Sequence, residues 1–254
     1  MFTLTISTPF FNEEDGINHF TETLTKILKI IPNYIKVSLL WINDGSTDNT
    51  LDKLISKKKL FPNNEVKIIS HKKNYGYGRT LFNSIKESNT DYLITYDSDC
   101  CYDFNIILEL IEHVRDHNYD IVNVSYKLAK KKMKTSIFRN FLAYSSILLY
   151  KILFKNLRKY KLTYFNCSFR IYKLNLIKNV DFLSDDFNAC AELLIKSTEK
   201  NISIFEIPGE NIGRNFGQSK MKVLKNIFNS LLTIFKMKAG IKNKQNKPNL
   251  YEII

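Results

Sequence analysis

The sequence predicts an α/β fold, a mostly parallel sheet with helices on both faces. Over the first 126 residues, short β-rich runs alternate with longer segments whose apolar residues recur three and four apart. Polar clusters stand at the carboxyl ends of four of those runs. The chain is 44% apolar and 25% charged with only 8 Gly and 5 Pro, the composition of a folded globule and not of a fibre or a tail. Strands and helices in strict alternation imply parallel strands joined by helical crossovers.

The strands read as Thr3 to Thr8, Val37 to Ile42, Val66 to Ser70, Tyr92 to Tyr96 and Ile121 to Ser125, rich in Val, Ile, Leu, Thr and Tyr. Between them, helices read as Glu14 to Ile31, Thr47 to Lys59 with Ser46 or Thr47 as cap, Gly78 to Ser88, and Asp103 to Asp116. After residue 126 a basic segment leads into a helical stretch in which Ile137, Phe138, Phe141, Leu142, Ile147, Leu148 and Phe154 cover a broad face. Then come a strand-like Phe169 to Tyr172, a helix near Asp186 to Lys200, a strand Ile202 to Ile207 and a helical Val223 to Met237. The Lys/Asn-rich end from Ala239 is expected to fray. Residues 1–222 read as one domain containing the amphipathic basic segment 127–161, and 223–254 as a C-terminal basic helix and tail.

The net charge of +13 favours an acidic partner. From Lys127 to Lys161 there are eleven Lys/Arg and no Asp or Glu, and from Asn211 to Tyr251 nine more and again no acid, so the rest of the chain is net acidic. Such clustering suits an anionic membrane surface or a nucleic acid; no recognition helix, RNP-like aromatic pair or zinc finger supports the second. The longest apolar stretch, Ile137 to Phe154, is interrupted by Arg139, Asn140, Ser145, Ser146 and Lys151, so it is expected to lie on a membrane without crossing it. The N-terminus has no basic region before an apolar run. Cys100, Cys101, Cys167 and Cys190 lack zinc spacing and read as reduced structural thiols. The expected location is cytoplasmic, peripheral on the inner face of the membrane.

Ligands of such a sheet sit beyond the carboxyl ends of its strands. Asp97 and Asp99 flank one residue at the fourth strand end, where extended geometry puts both side chains on one face and lets them approach a hard cation such as Mg²⁺ or Mn²⁺. An ion held there keeps positions open for phosphate oxygens and can neutralise a diphosphate; a solvated turn is the plainer reading. Asn43-Asp44-Gly45-Ser46 offers an amide and a carboxylate to a nucleobase or ribose, or is an ordinary βα turn. In Asn74 to Gly78, two glycines before a helix suit close approach to an anion, or form a plain turn.

TPFFNEE, WINDGSTDNT, NYGYGRTL and DSD, at the ends of strands one to four, together resemble the family 2 glycosyltransferases, whose GT-A fold is a Rossmann-like sheet. FNCSFRIY (165–172), DFNACAELL (186–194) with IFEIP (204–208), and RNFGQSK (214–220) resemble the dolichol-phosphate mannose synthase and polyprenyl-phosphate glycosyltransferase type. The similarity covers about residues 3–222.

The resemblance implies metal-dependent, inverting transfer of a sugar from a UDP- or GDP-sugar to a polyprenyl phosphate. It implies that Pro9, Asn12, Glu13, Asn43, Asp44, Asn74, Gly76, Asp97 and Arg214 bind the nucleotide sugar. Asp97 and Asp99 hold the metal, Arg170 acts with them in catalysis, and Arg170, Ser219, Lys220 and Glu192 meet the acceptor phosphate. A separate membrane partner is compatible with this reading. Two residues depart from the family pattern: Asn43 replaces the first of two acids before Gly-Ser, and Cys101 replaces a Gln, which leaves one metal contact missing or supplied by water. A phosphate monoester is already anionic and attacks without a base. An alternative acceptor, a glycan or glycolipid hydroxyl, needs one, with Glu192 or Asp186 as candidates. Remote alternatives are a non-catalytic nucleic-acid-binding or membrane-binding protein.

Overall fold

Phe2–Phe10 forms β1, buried almost continuously along its length as a strand covered on both faces must be. It is followed by α1 (Ile17–Ile30), β2 (Ile35–Asn43), α2 (Thr50–Lys58), β3 (Glu65–His71), α3 (Tyr77–Glu87), β4 (Tyr92–Thr95), α4 (Ile106–Asp116) and β5 (Ile121–Ser125). Next come α5 (Ile137–Leu153), β6 (Arg170–Lys173), the short α6 (Leu174–Ile177), α7 (Ala189–Ser197), β7 (Ile204–Pro208), α8 (Val223–Lys238) and β8 (Tyr251–Ile253). This computed structural model describes residues 2–130, 137–213, 223–241 and 251–254. The side chains of Ile137, Phe138, Phe141 and Leu142, and all of Arg214, Ser219 and Lys220, lie outside that description.

The sheet runs β7-β5-β6-β4-β1-β2-β3-β8. β1 pairs in parallel with β2 and β4, and β2 with β3, as the alternation predicts. β6 enters antiparallel between β4 and β5, and β7 lies parallel to β5, so the sheet is mixed on that side. The expected fraying fails at the last residues. Tyr251–Ile253 pairs antiparallel with β3, and Tyr251 donates its hydroxyl to Glu87 Oε1 at 2.6 Å. That strand covers an edge that would otherwise expose unpaired amides.

Adjacent strand residues point to different cores. Ile94, Val122 and Ile171 pack with Phe20, Leu24, Trp41 and Leu110, while Leu93, Ile121 and Tyr172 pack with Leu81, Tyr150, Phe165 and Leu193. Alternation puts these two clusters on opposite faces of the sheet. Each fully buried large aliphatic side chain contributes about 1.5–3 kcal/mol before the entropy of ordering it. α5 and α8 join the second core through Tyr150 and Ile234 but leave Tyr144, Leu148, Ile152, Phe228, Leu231, Leu232 and Phe235 exposed. Among the described residues, no helix is long and apolar enough to cross a membrane.

Candidate active site

The acidic cluster begins where β4 leaves the sheet. Tyr96 N donates to Ser7 O at 2.9 Å, and Cys100 N reaches back to Asp97 O at 3.2 Å. Cys100 takes a left-handed conformation with φ +49°, uncommon for a residue with a Cβ. A turn, not strand pleating, therefore gathers the side chains. One ligand atom each from Asp97, Asp99 and Cys101 lies within 4.8 Å of the others, and among the described residues no other three-group cluster does this. Cys101 N donates to Asp99 Oδ1 at 3.1 Å, and Ser168 donates its hydroxyl to Asp97 Oδ2. Two carboxylates with a thiol suit a divalent ion with positions left for outside oxygens. At the position where the sequence left a metal contact missing or supplied by water, the Cys101 side chain lies in the same cluster.

The other strand ends are latched to one another. Asn12, at φ +53°, donates its amide to Ser46 Oγ at 3.0 Å and accepts from Thr47 N through Oδ1 at 2.8 Å. Glu13 N donates to Thr50 Oγ1 at 2.9 Å, and Glu14 Oε2 accepts from Asn49 Nδ2 at 2.9 Å. These bonds correct the expected helix cap: Ser46 and Thr47 join the first loop, and Asp48 Oδ1 accepts from Thr50 N instead. Burial raises the Asp48 carboxyl, but bonds from Thr50 and Glu14 N outweigh it and hold the group below its ordinary value.

Asn43 and Asp44 turn inward. Asn43 Oδ1 accepts from Ser46 N, and its Nδ2 donates to Ser70 Oγ. Asp44, 4% exposed, accepts from Tyr75 N and Gly76 N at 2.9 Å each and meets His71 Nδ1 at 2.6 Å. Both residues shape the loop through these bonds. Gly76 N is engaged by Asp44, and Gly78 N donates to Asp185 O at 2.8 Å, so the glycine loop spends these amides inside the protein. Its glycine is needed for approach: a Cβ on Gly76, at φ +94°, would stand 2.3 Å from Asp185 O. Asn74 is exposed beside it, and Pro9, Asn12 and Glu13 are half-buried at the first strand end. Burial, then Cys190 and Asp97, hold the Tyr77 hydroxyl well above the usual phenol value.

Residues 5–181 match the model of the family described as "Glycosyl transferase family 2". The chain belongs to this family. It is 23% identical over 229 residues to a dolichol-phosphate mannosyltransferase of Pyrococcus furiosus, covering 90% of this chain and 62% of that protein. It is 33% identical over 119 residues to an uncharacterized glycosyltransferase of Synechocystis sp., covering 47% and 36%. The chain therefore spans less than two thirds of either relative. Among solved structures, the glucosyl-3-phosphoglycerate synthase of Mycobacterium tuberculosis, in complex with Mn²⁺, UDP and glucosyl-3-phosphoglycerate, superposes with a TM-score of 0.68 at 16% identity. That match covers 95% of this chain and 81% of that one. The GT-A fold expected from the sequence is the fold observed.

In this family 2 glycosyltransferase two expected phosphate contacts are redirected by burial. Arg170 is 0% exposed, and its guanidinium donates to Asn123 Oδ1 at 2.7 Å, Tyr172 Oη at 3.1 Å, Cys190 O at 3.0 Å and Phe165 O at 3.0 Å. In this structure all of these partners lie within the protein, so the guanidinium braces β6 against the residues around it. Glu192, also 0% exposed, accepts from Leu183 N and Ser184 N and pairs with Lys196 at 2.7 Å. Asp186 accepts from Asn188 and from Asn229 Nδ2. Burial pushes the Cys167 and Cys190 thiols up to about 12 against the lowering effect of Arg170, as fits structural cysteines. Sequence reasoning missed the parts played by His71 and Ser168; His71 ending a strand beside the polar loop was the available signal.

Proposed function

We propose that the chain is an inverting glycosyltransferase that moves a hexose from a UDP- or GDP-sugar to a polyprenyl phosphate at an anionic membrane surface. The observation that carries this is the Asp97–Asp99–Cys101 cluster at the end of β4, beside the latched loops that follow β1, β2 and β3. Mg²⁺ or Mn²⁺ held by that donor set supplies positive charge against a departing diphosphate. Ser168 keeps the Asp97 carboxylate turned toward the cluster. The loops around Pro9, Asn12, Glu13, Asn43, Asp44, Asn74 and Gly76 give the nucleotide a rigid seat, so alignment of two bound anions does most of the work. An acceptor phosphate oxygen attacks the anomeric carbon as the bond to the diphosphate oxygen breaks, with inversion and no proton to remove. Arg214, Ser219 and Lys220 remain proposed phosphate contacts from the RNFGQSK segment.

Two observations favour a lipid phosphate over a hydroxyl acceptor. Both candidate bases, Asp186 and Glu192, are held by hydrogen bonds from backbone and side chains. The exposed apolar residues of α5 and α8 are accompanied by exposed Lys155, Arg158, Lys159, Lys161 and Lys238, the composition of a face that lies on anionic lipid. The similarity to a dolichol-phosphate mannosyltransferase over most of the chain agrees.

The test is incubation of the purified chain with UDP- or GDP-sugars, Mn²⁺ and polyprenyl phosphate in anionic vesicles. A sugar joined to the lipid phosphate is the expected product. Glycosylation of a glycan hydroxyl alone would overturn the acceptor, and no transfer from any donor would overturn the activity.

A further inference from the structure

We infer that Cys101 is a third protein ligand of the divalent ion, so that this chain holds thiophilic ions such as Co²⁺ and Cd²⁺ in preference to Mg²⁺ or Mn²⁺. This rests on the metal reading above and adds a third protein ligand to it. Three donors round one ion stand roughly 3–4 Å apart when metal–oxygen and metal–sulfur bonds are about 2.0–2.3 Å. The three ligand atoms already lie within 4.8 Å of one another, so shifts of tenths of an ångström bring them round a common centre.

The backbone that carries the sulfur is also held in place. Cys101 N is fixed to Asp99 Oδ1 at 3.1 Å and its carbonyl accepts from Ile212 N at 2.8 Å, while the left-handed turn at Cys100 points the chain back toward Asp97. Cys100, Cys167 and Cys190 are buried, whereas Cys101 is half-exposed on the same turn as the carboxylates. A sulfur in place of an oxygen donor moves the preference of a site from hard ions toward softer ones.

The test titrates the full chain with Co²⁺, in the presence of UDP and a non-thiol reductant, and follows the thiolate-to-cobalt charge-transfer band in the near ultraviolet. The wild type is expected to show the band, Cys100→Ser to keep it and Cys101→Ser to lose it. The ratio of Cd²⁺ to Mn²⁺ affinity should fall about tenfold or more in Cys101→Ser. Mn²⁺ binding, read from the magnetic resonance of the free ion, should survive in Cys101→Ser and be lost in Asp99→Asn. A wild type that binds Mn²⁺ through Asp99 but shows no cobalt band overturns the sulfur ligand and leaves the metal reading standing. A band that persists in Cys101→Ser also overturns it, and failure of the wild type to bind either ion overturns both.

Discussion

His71 and Asp44 form a buried pair, Nδ1 to Oδ1 at 2.6 Å, at the ends of neighbouring strands. On the other side of the ring, Nε2 lies 2.8 Å from Asn83 Nδ2. An amide nitrogen only donates, so in this arrangement Asn83 donates to Nε2 while Nδ1 faces the carboxylate. Asp44 in turn holds the amides of Tyr75 and Gly76. Asp44→Asn places an amide against donors. The expected result is a loss of about 1–3 kcal/mol of stability and a rise in KM for the sugar nucleotide larger than the fall in kcat. Thermal melts and donor titrations check both; unchanged donor affinity would show that the loop does not seat the nucleotide.

On the proposed reading, Asp97 binds the ion and Ser168, donating to its carboxylate, positions it. Asp97→Asn should lower transfer at least about 100-fold by removing charge from the donor set. Ser168→Ala leaves the charge and removes its orientation, so Mn²⁺ affinity should fall roughly 10-fold with little change in melting temperature. Equal Mn²⁺ affinity in Ser168→Ala and wild type would remove the positioning role.

Arg170 tests burial against residue type. Arg170→Met strands four acceptors that the guanidinium now satisfies. Roughly 3 kcal/mol or more of stability should be lost, and activity should fall with the folded fraction. A variant that melts like the parent but no longer binds the acceptor would mean that the side chain reaches the phosphate after all.

What the sequence made legible follows the range of the interactions involved. Val37 to Ile42 and Ile121 to Ser125 announce strands through their own composition, and Asp97 and Asp99 announce a cluster because they are two apart. The grouping of Cys101 with them depends on the left-handed Cys100, which no periodicity signals. Ser46 and Thr47 have the chemistry of helix caps, yet Asn12, far away in sequence, takes their bonds. Arg170 has the chemistry of a phosphate ligand, and only the packing of β6 against β4 and β5 buries it. β8 is three residues long and exists through its pairing with β3.

Glu87 makes the docking of that last strand pH-dependent. Burial pushes its carboxyl up, but the bonds from Lys67 at 2.5 Å and Tyr251 at 2.6 Å outweigh this and hold it below the ordinary 4.5. A depressed carboxyl contributes stability that is present above the unfolded value and is lost as pH falls through the folded one. The pair is partly solvated, so the contribution is at most about 1 kcal/mol. The difference in urea midpoint between wild type and Glu87→Gln should be constant near neutrality and shrink below about pH 4.5. A difference unchanged down to pH 3 would detach the effect from this carboxylate.

The exposed faces of α5 and α8 should bind anionic vesicles. Lys238 Nζ lies 4.8 Å from the centre of the Phe154 ring, so the ends of the two helices meet and their outer faces can act together. Leu148 is 61% exposed and Phe235 65% exposed, so replacing each with Glu removes little packing and should change stability by no more than about 0.5 kcal/mol. On a membrane the same changes remove apolar insertion and add repulsion from anionic headgroups, where each basic neighbour is worth about 1 kcal/mol. Leu148→Glu with Phe235→Glu should therefore weaken sedimentation with anionic vesicles at least about tenfold, a change of 1.4 kcal/mol or more. Soluble donor binding should stay at the wild-type level. Vesicle binding that survives the double substitution would place the lipid contact elsewhere on the chain.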